Sequence, residues 1–385
     1  MTLTANWSYP TAIRFGAGRI SELADACAEA GIKRPLVVTD PGLAGLPMTG
    51  AILGGLKDAD SGAALFSEVD PNPVEANVSA GVEAYRAGSH DGVVALGGGS
   101  GLDAGKAVAF MQGQTRPIWD FEDVGDWWTR ADADAIAPVI AVPTTAGTGS
   151  EVGRASVITN NVTHEKKIIF HPKMMPVTVI SDPELTVGLP AGLTAATGMD
   201  AFAHNLEAWC APGFHPMSAG IGLEGMRIVK DWLARAVHQG SDIEARSWML
   251  IASSMGAVAF QRGLGAIHAL SHPLGGLYGA HHGTLNAVLM PYVLQANKPA
   301  ITQSMEQLAS ALELGGSHQS VLDWVLGLRK QIGIANTLAD IGIENPDYAR
   351  IGSMAVEDPS AGGNPIQFTA EEYAAICERA FEGEL

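Results

Sequence analysis

Apolar positions in the first half of this chain fall in short runs that end at turn residues. The runs are PLVVTD (35–40), GVVALGGGS (92–100), PVIAVPTT (138–145) and VTVISDP (177–183). Runs of this length, bounded by glycine, proline or aspartate, predict strands that are buried on both faces. The segments between them, such as 19–31 and 74–88, have the spacing of amphipathic helices. Alternating strands and helices predict a parallel, Rossmann-like sheet.

The pattern changes near residue 190. From Thr194 onward the β-branched clusters thin out and long helical periods dominate, as in 216–239 and 320–333. A chain of 385 residues is long enough for about two domains. We therefore predict an α/β domain over residues 1–187 and an all-α domain over residues 188–385. The active site is expected in the cleft between them.

The bulk composition narrows the function classes. A formal net charge of −18 argues against partners with a phosphate backbone or an anionic membrane surface. No apolar run approaches the roughly 20 residues of a membrane span, and the N-terminus lacks the pattern of a secretory signal. Three scattered cysteines predict neither a disulfide framework nor a thiolate zinc site. We expect a cytoplasmic protein with no nucleic-acid or membrane partner.

A glycine turn follows the second predicted strand, in GVVALGGGSGLDAGKAVAF (92–110). Gly97, Gly98 and Gly99 allow a phosphate close to the backbone at the start of the next helix. The turn fits neither the G-x-G-x-x-G pattern, because Leu102 replaces the third glycine, nor the Walker A pattern. A strand-to-helix turn without a ligand is the alternative.

A second turn, PTTAGTGSEVG (143–153), follows the next strand and carries Thr144, Thr145, Thr148 and Ser150. Two such turns at one sheet edge suit a ligand with two ends, such as a dinucleotide, although threonine and serine also cap helices. Asp40 ends the strand PLVVT, where a carboxylate accepts ribose hydroxyls and repels a 2′-phosphate, favouring NAD over NADP. A plain TDPG turn is the alternative for Asp40.

Histidines concentrate in HALSHPLGGLYGAHHG (268–283), which holds four of the chain's 11. His268 and His272 are spaced by one helical turn, as are Asp200 and His204 in the predicted helix 194–209. We expect Pro273, Gly275, Gly276 and Gly279 to break the helix between His268 and His282, so that His282 arrives by a bend in the chain. An Asp/His pair on one helix and histidines on another segment predict a divalent metal site.

Four segments together carry a family resemblance: GGGSGLDAGKA, PTTAGTGSEV, GMDAFAHNLEAW and HALSHPLGGLYGAHHGTLNAVLMPYV. They resemble the iron-containing (group III) alcohol dehydrogenases, relatives of glycerol dehydrogenase and dehydroquinate synthase. The resemblance implies metal ligands at Asp200, His204, His268 and His282, with His272 in the catalytic surroundings. It implies an NAD side formed by Asp40, Asn72, Gly97, Gly98, Gly99, Ser100, Asp103, Thr144, Thr145, Thr148 and Lys166. Gly105, usually alanine in the family, and His281 stand outside these roles.

The resemblance implies an NAD-linked dehydrogenase that interconverts a small alcohol or hydroxy acid and its aldehyde or ketone. One divalent metal is expected, Fe(II) first and Zn(II) as the alternative, in a homodimer or larger homo-oligomer. Three alternatives stay open: a metal-free reductase of the maleylacetate type, a lyase like dehydroquinate synthase and a non-catalytic sensing module. Within the same fold, the substrate stays open among small alcohols, lactaldehyde-type diols and 4-hydroxybutyrate.

Overall fold

The computed structural model describes Tyr9, residues 11–163 and residues 165–385. These residues form two compact units. The α/β unit consists of residues 9–145 and 149–188, and the helical unit consists of residues 146–148 and 189–385. Residues 1–8, which belong to the stretch in which we predict no secretory signal, lie outside the described part of the chain.

The α/β unit is built on a six-stranded parallel sheet, which confirms the predicted Rossmann-like architecture. The strands are β1 (Ala12–Phe15), β2 (Pro35–Val38), β3 (Ala64–Phe66), β4 (Gly92–Gly97), β5 (Val139–Pro143) and β8 (Thr178–Ser181). The helices are α1 (Leu23–Glu29), α2 (Pro41–Ala44), α3 (Pro47–Asp58), α4 (Glu75–Ala87) and α5 (Gly99–Met111). An antiparallel hairpin, β6 (Ala155–Asn160) and β7 (Glu165–Phe170), completes the unit.

Strand order places the predicted ligand turns side by side. The order is β1-β8-β5-β4-β2-β3, so the carboxyl ends of β2, β4 and β5 are neighbours. The chain runs from β2 outward to β3 and then returns to the other side of β2 as β4. This reversal is the topological switch point at which open α/β sheets bind their ligands. Asp40, the glycine turn and the threonine turn all follow these three strands.

Gly105 is required by a close approach of α5 to β4. A Cβ atom at this position would lie 2.6 Å from the Cβ atom of Ala95 and 3.1 Å from its Cα atom. Helix propensity alone would make this glycine only a small weakening of α5 relative to the alanine that the resembling family usually has. The structure corrects that interpretation, because an alanine here has to push the helix away from the sheet.

We expect Gly105→Ala to lower the free energy of unfolding by up to about 2 kcal/mol. Overpacking costs about 1–3 kcal/mol, which outweighs the helix-propensity gain of about 1 kcal/mol. Urea unfolding followed by circular dichroism measures the change. Gly55→Ala in α3 is the matched control, because a Cβ atom there meets nothing within 4 Å. It should be neutral or stabilising, and equal effects of the two substitutions would contradict the packing argument.

The helical unit confirms the helical second half. Its helices are α6 (Ala191–Cys210), α7 (Pro216–His238), α8 (Ile243–Ala259), α9 (Ala266–Tyr278), α10 (His282–Ala311), α11 (His318–Ile332), α12 (Tyr348–Glu357) and α13 (Ala370–Glu382). Helix α6 is buried on almost every face between Thr194 and Ala208. It is therefore the central helix of this unit, and polar side chains on it have to find partners inside the protein.

In the described part of the chain, no single helix is long and apolar enough to span a membrane. One bent pair, Ile243–Arg262 with Ala266–Tyr278, meets the length and composition criteria together, with a bend of 108°.

The predicted helix break between His268 and His282 is confirmed, because one helix ends before His282 and a new one begins there. Helix α9 continues through Pro273, Gly275 and Gly276, and it ends only at Gly279, which has the left-handed φ of 68°. A proline removes one backbone donor but does not end a helix whose face is well packed, and Pro273 is buried. The bend that brings His282 back therefore lies at residues 279–281, and Gly279 is the predicted breaker at which the helix ends.

Candidate functional site

Helix α6 carries the first half of a polar cluster inside the helical unit. Asp200, His204 and Glu207 follow one another at spacings of four and three residues, so they share one face of the helix. All three are buried, with relative exposures of 4%, 4% and 6%. Buried ionisable groups are expensive unless they are paired or hold a metal. Three on one face therefore indicate a site.

The other half of the cluster comes from α9 and the first residue of α10. Asp200 Oδ1 lies 3.6 Å from His204 Nε2, 3.8 Å from His268 Nε2 and 3.6 Å from His282 Nε2. The ligand atoms of Asp200, His204 and His268 all lie within 4.8 Å of one another. The structure thus brings together the four side chains predicted as metal ligands.

These separations fit a shared cation. They exceed a normal hydrogen bond, so the oxygen and the three nitrogens converge without satisfying one another. Bonds of about 2.1 Å in a tetrahedral arrangement separate ligand atoms by about 3.4 Å. One carboxylate oxygen and three imidazole nitrogens are also a donor set that Fe(II) and Zn(II) accept.

Glu207 holds His268 from behind. Its Oε2 atom lies 2.6 Å from His268 Nδ1, and its Oε1 atom accepts a hydrogen bond of 2.7 Å from the Ile267 backbone N–H. Burial alone would lower the pKa of His268, but attraction to Glu207 and Asp200 outweighs it and raises the pKa to about 9. The carboxylate therefore accepts the Nδ1 proton and leaves Nε2 to face the cluster.

The ionisable groups of the cluster differ in how burial and their neighbours shift their pKa values. Burial opposes ionisation of Asp200, yet His204, His282 and His268 hold the pKa of this carboxyl well below its usual range. Burial lowers the pKa of His204 to about 4, despite attraction to Asp200. At neutral pH the site thus holds an anionic Asp200 beside a neutral His204, whereas His268 has to release a proton when a divalent metal binds.

His272 lies beside this cluster, on the same face of α9 as His268. Its ring stacks on His282 with centroids 5.3 Å apart, and its Nδ1 atom lies 2.7 Å from Asp358 Oδ2. Asp358 also accepts a hydrogen bond from the Ser360 backbone N–H. His281 is the exposed N-cap residue of α10, with its Nδ1 atom 3.4 Å from Thr284 Oγ1.

The glycine turn of the α/β unit has an open helix N-terminus. Gly97 has a φ of 147° and Gly98 is the N-cap residue of α5, where no described side chain caps the backbone N–H groups. The threonine turn adjoins it: Thr144 N–H donates to Gly97 O at 2.9 Å, and a Cβ atom on Gly98 would lie 3.1 Å from Thr145 Oγ1. Uncapped N–H groups suit a phosphate.

Asn72 and Asp40 flank this turn in different ways. Ser100 Oγ donates to the Pro71 carbonyl at 2.5 Å, which holds the loop containing Asn72 against the start of α5. Asp40 is the N-cap residue of α2, and its Oδ1 atom accepts a hydrogen bond of 3.0 Å from Leu43 N–H. Asp40 therefore does form the local turn that we considered as its alternative role, with one carboxylate oxygen.

Three other predicted cofactor residues lie in different surroundings. Asp103 faces inward, where its carboxylate accepts from Ser150 Oγ at 2.5 Å and from Val157 N–H at 3.0 Å. This buried network makes Asp103 a support of the loop. Lys166 and Lys167 are adjacent on β7 and point to opposite faces, and Lys167 is paired with Glu122 at 3.2 Å. Thr148 belongs to the helical unit with Gly147, which packs tightly against Thr197.

Sequence reasoning missed three side chains of the cluster. Glu207 continues the Asp200–His204 stripe by one turn, so the helical spacing could have indicated it. Asn286 is four residues after His282, and its Nδ2 atom donates to Asp200 Oδ1 at 2.7 Å. Asp358 is 86 residues from His272, and no local pattern marks it.

Comparisons with known proteins find the same family along the chain. Residues 10–183 match the family described as iron-containing alcohol dehydrogenase, and residues 194–381 match the C-terminal domain of that family. A 4-hydroxybutyrate dehydrogenase of Cupriavidus necator is 38% identical over 97% of this chain and 98% of its own. A crystal structure of a 1,3-propanediol oxidoreductase has a TM-score of 0.93 at 34% identity, covering 98% of this chain and 100% of its own.

A third relative was solved with its cofactor. The sulfoacetaldehyde reductase of Bifidobacterium kashiwanohense, in complex with NAD+, has a TM-score of 0.88 at 28% identity. The similarity covers 98% of this chain and 99% of that structure.

Proposed function

Because this chain belongs to the iron-containing alcohol dehydrogenase family, we propose that it oxidises small alcohols or hydroxy acids with NAD at a metal centre formed by Asp200, His204, His268 and His282. The observation that carries the proposal is the convergence of one carboxylate oxygen and three imidazole nitrogens at 3.6–3.8 Å. The same donor set argues against the metal-free reductase of the same fold, which has no use for it.

The groups of this chain divide the work. A bound divalent cation supplies a Lewis acid for the alcohol oxygen, and NAD supplies the hydride acceptor. Asp200 and the imidazoles of His204, His268 and His282 would hold the cation, with His268 giving up a proton when the cation binds. His272, whose Nδ1 atom faces Asp358, presents Nε2 to accept the hydroxyl proton during oxidation and to return it during reduction. We propose His272 as the catalytic residue in this sense.

The α/β unit supplies the dinucleotide site in this proposal. The uncapped start of α5 supports phosphate binding by Gly97, Gly98, Gly99 and Ser100, with Asn72 beside them. We assign Thr144, Thr145, Thr148 and Lys166 to the same cofactor, and Asp103 to the loop that carries it. Lys166 is preferred over Lys167 because its distance along the chain from Asp200 matches the family pattern.

An absorbance assay tests the proposal directly. Protein purified anaerobically and loaded with Fe(II) or Zn(II) should reduce NAD with members of an alcohol panel that includes 4-hydroxybutyrate and 1,3-propanediol. Dialysis against a chelator should abolish the NADH signal at 340 nm, and added metal should restore it. Full activity after the metal is removed would favour the metal-free reductase instead.

Asp40→Asn is expected to relax the choice of NAD over NADP. The asparagine keeps an oxygen for the Leu43 N–H cap but removes the charge. Like charges about 4 Å apart cost about 1 kcal/mol in water and up to about 4 kcal/mol near a protein surface. The ratio of kcat/KM for NADP to that for NAD should therefore rise by about tenfold or more. Asp40→Gly, which also removes the cap, should shift it similarly; no shift in either variant would leave Asp40 as a turn-former only.

The remaining proposals concern organisation. We propose residues 1–187 as the dinucleotide-binding domain and residues 188–385 as the metal- and substrate-binding domain. Fe(II) is the preferred metal, because none of the predicted ligands is a thiolate that would favour Zn(II). The free thiols of Cys27, Cys210 and Cys377 suit a reducing cytoplasm, where we place the enzyme as a homodimer or larger assembly.

A further inference from the structure

Asn286 lies within the cluster of proposed metal ligands, although it has no place in the predicted ligand set. Its Nδ2 atom donates to Asp200 Oδ1 at 2.7 Å and lies 3.2 Å from the Nε2 atoms of both His268 and His282. One amide nitrogen thus contacts three of the four converging side chains. The side chain is fully buried.

The Asn286 amide is oriented with its nitrogen toward the proposed metal ligands. Within the described part of the chain, the buried Asn286 Oδ1 atom has no hydrogen-bond partner, whereas Nδ2 donates to Asp200 Oδ1. The reverse orientation would place Oδ1 against the Asp200 carboxylate, where the two oxygens repel each other. A buried amide with an unsatisfied oxygen lowers the stability of the fold. We therefore look for the role of Asn286 in its contact with Asp200.

Asn297, on the same helix, shows what a purely structural asparagine looks like here. Its Nδ2 atom donates to Asn364 Oδ1 at 2.9 Å, and its Oδ1 atom accepts from Asn364 Nδ2 at 2.8 Å. It is 4% exposed. Both ends of that amide are satisfied by another part of the fold, and neither faces the proposed metal ligands.

We propose that Asn286 is a positioning residue of the metal centre, which fixes Asp200 Oδ1 where it meets the three imidazoles and so sets the affinity for the cation. The inference rests on the metal site of the proposed function. The Oδ1 atom of Asp200 has two lone pairs. The N–H group of Asn286 occupies one of them and leaves the second for a cation. Carboxylate ligands held by such a neighbour commonly lose about 10–100-fold in metal affinity when the neighbour is removed.

Competition with a chromophoric chelator for Zn(II) measures this affinity without using turnover. Asn286→Leu keeps the size of the side chain but removes the hydrogen bond, and its dissociation constant for Zn(II) should rise by about 10–100-fold. Asn297→Leu is the matched control: it should lower the melting temperature while leaving the dissociation constant within about threefold of wild type.

Asn286→Asp provides a second readout. It places a carboxylate next to Asp200, so the metal-free variant should melt below the metal-free wild type. Zn(II) relieves the repulsion, and the rise in melting temperature on adding Zn(II) should therefore be larger than in wild type.

The outcomes separate the two proposals. A wild type that does not bind Zn(II) would overturn the metal centre itself, and this inference with it. A wild type that binds Zn(II), with Asn286→Leu binding equally well, would overturn only the role of Asn286. An Asn286→Asp variant that gains no more from Zn(II) than wild type would also count against it.

Discussion

His268→Ala is expected to lose bound metal and to lower kcat/KM by at least about 10³-fold. The substitution removes one of four converging ligand atoms and leaves Glu207 without the Nδ1 partner that it holds at 2.6 Å. Without the cation, charge on the alcohol oxygen is no longer stabilised, and such electrostatic stabilisation is worth several kcal/mol. Metal content by plasma mass spectrometry and initial rates on the same preparation measure both effects.

A buried histidine elsewhere in the helical unit separates metal loss from general damage. His318 is 4% exposed, and its Nε2 atom contacts the Leu294 carbonyl at 3.1 Å. His318→Ala should lower the melting temperature but keep one metal per chain and most of the activity. If His268→Ala keeps its metal, or turns over normally without it, His268 is not a ligand.

Glu207→Gln is the second change with a large expected effect. Glu207 uses a different carboxylate oxygen for each contact, Oε2 for His268 Nδ1 and Oε1 for Ile267 N–H, and glutamine replaces one of these oxygens with an NH2 group. The new NH2 group then faces the N–H group of either His268 or Ile267, and two donors repel each other. We expect the metal dissociation constant to rise by about 10–100-fold, with kcat at saturating metal much less affected. Chelator competition and metal-titrated rates give the two quantities.

Asp182 offers the matched control for Glu207. It is a fully buried carboxylate of the α/β unit that accepts from the backbone N–H groups of Gly18, Ile20 and Glu184. Asp182→Asn should lower the free energy of unfolding without changing metal affinity. Equal metal affinities in wild type and Glu207→Gln would show that Glu207 supports the fold and not the metal.

Local spacing was sufficient for the central strands and long helices. The strands β2, β4, β5 and β8 are buried on both faces and are therefore apolar at most positions. Such a continuous apolar run can be recognised in the sequence. Edge strands carry no such signal: Ile13 of β1 is 40% exposed and Leu65 of β3 is 37% exposed, and neither strand was predicted. The tight approach of Gly105 to Ala95 is likewise a property of the packed structure, not of either segment.

The candidate site divides in the same way. Asp200, His204, His268 and His272 were indicated because helical spacing brings residues four apart onto one face. Glu207 and Asn286 also lie one helical turn after His204 and His282. We did not include them because we searched for metal ligands, and glutamate and asparagine at these positions contact the predicted ligands instead. Asp358 reaches His272 across 86 residues through the packing of the helical unit. Only the folded structure reveals a contact of that kind.

Anomalous diffraction from crystals grown with Fe(II) or Zn(II) tests the central claim most directly. The account predicts one strong peak per chain, at about 2.0–2.3 Å from Asp200 Oδ1 and from the Nε2 atoms of His204, His268 and His282. Crystals of metal-loaded protein with no peak among these four atoms, or with the metal bound by other side chains, would contradict it.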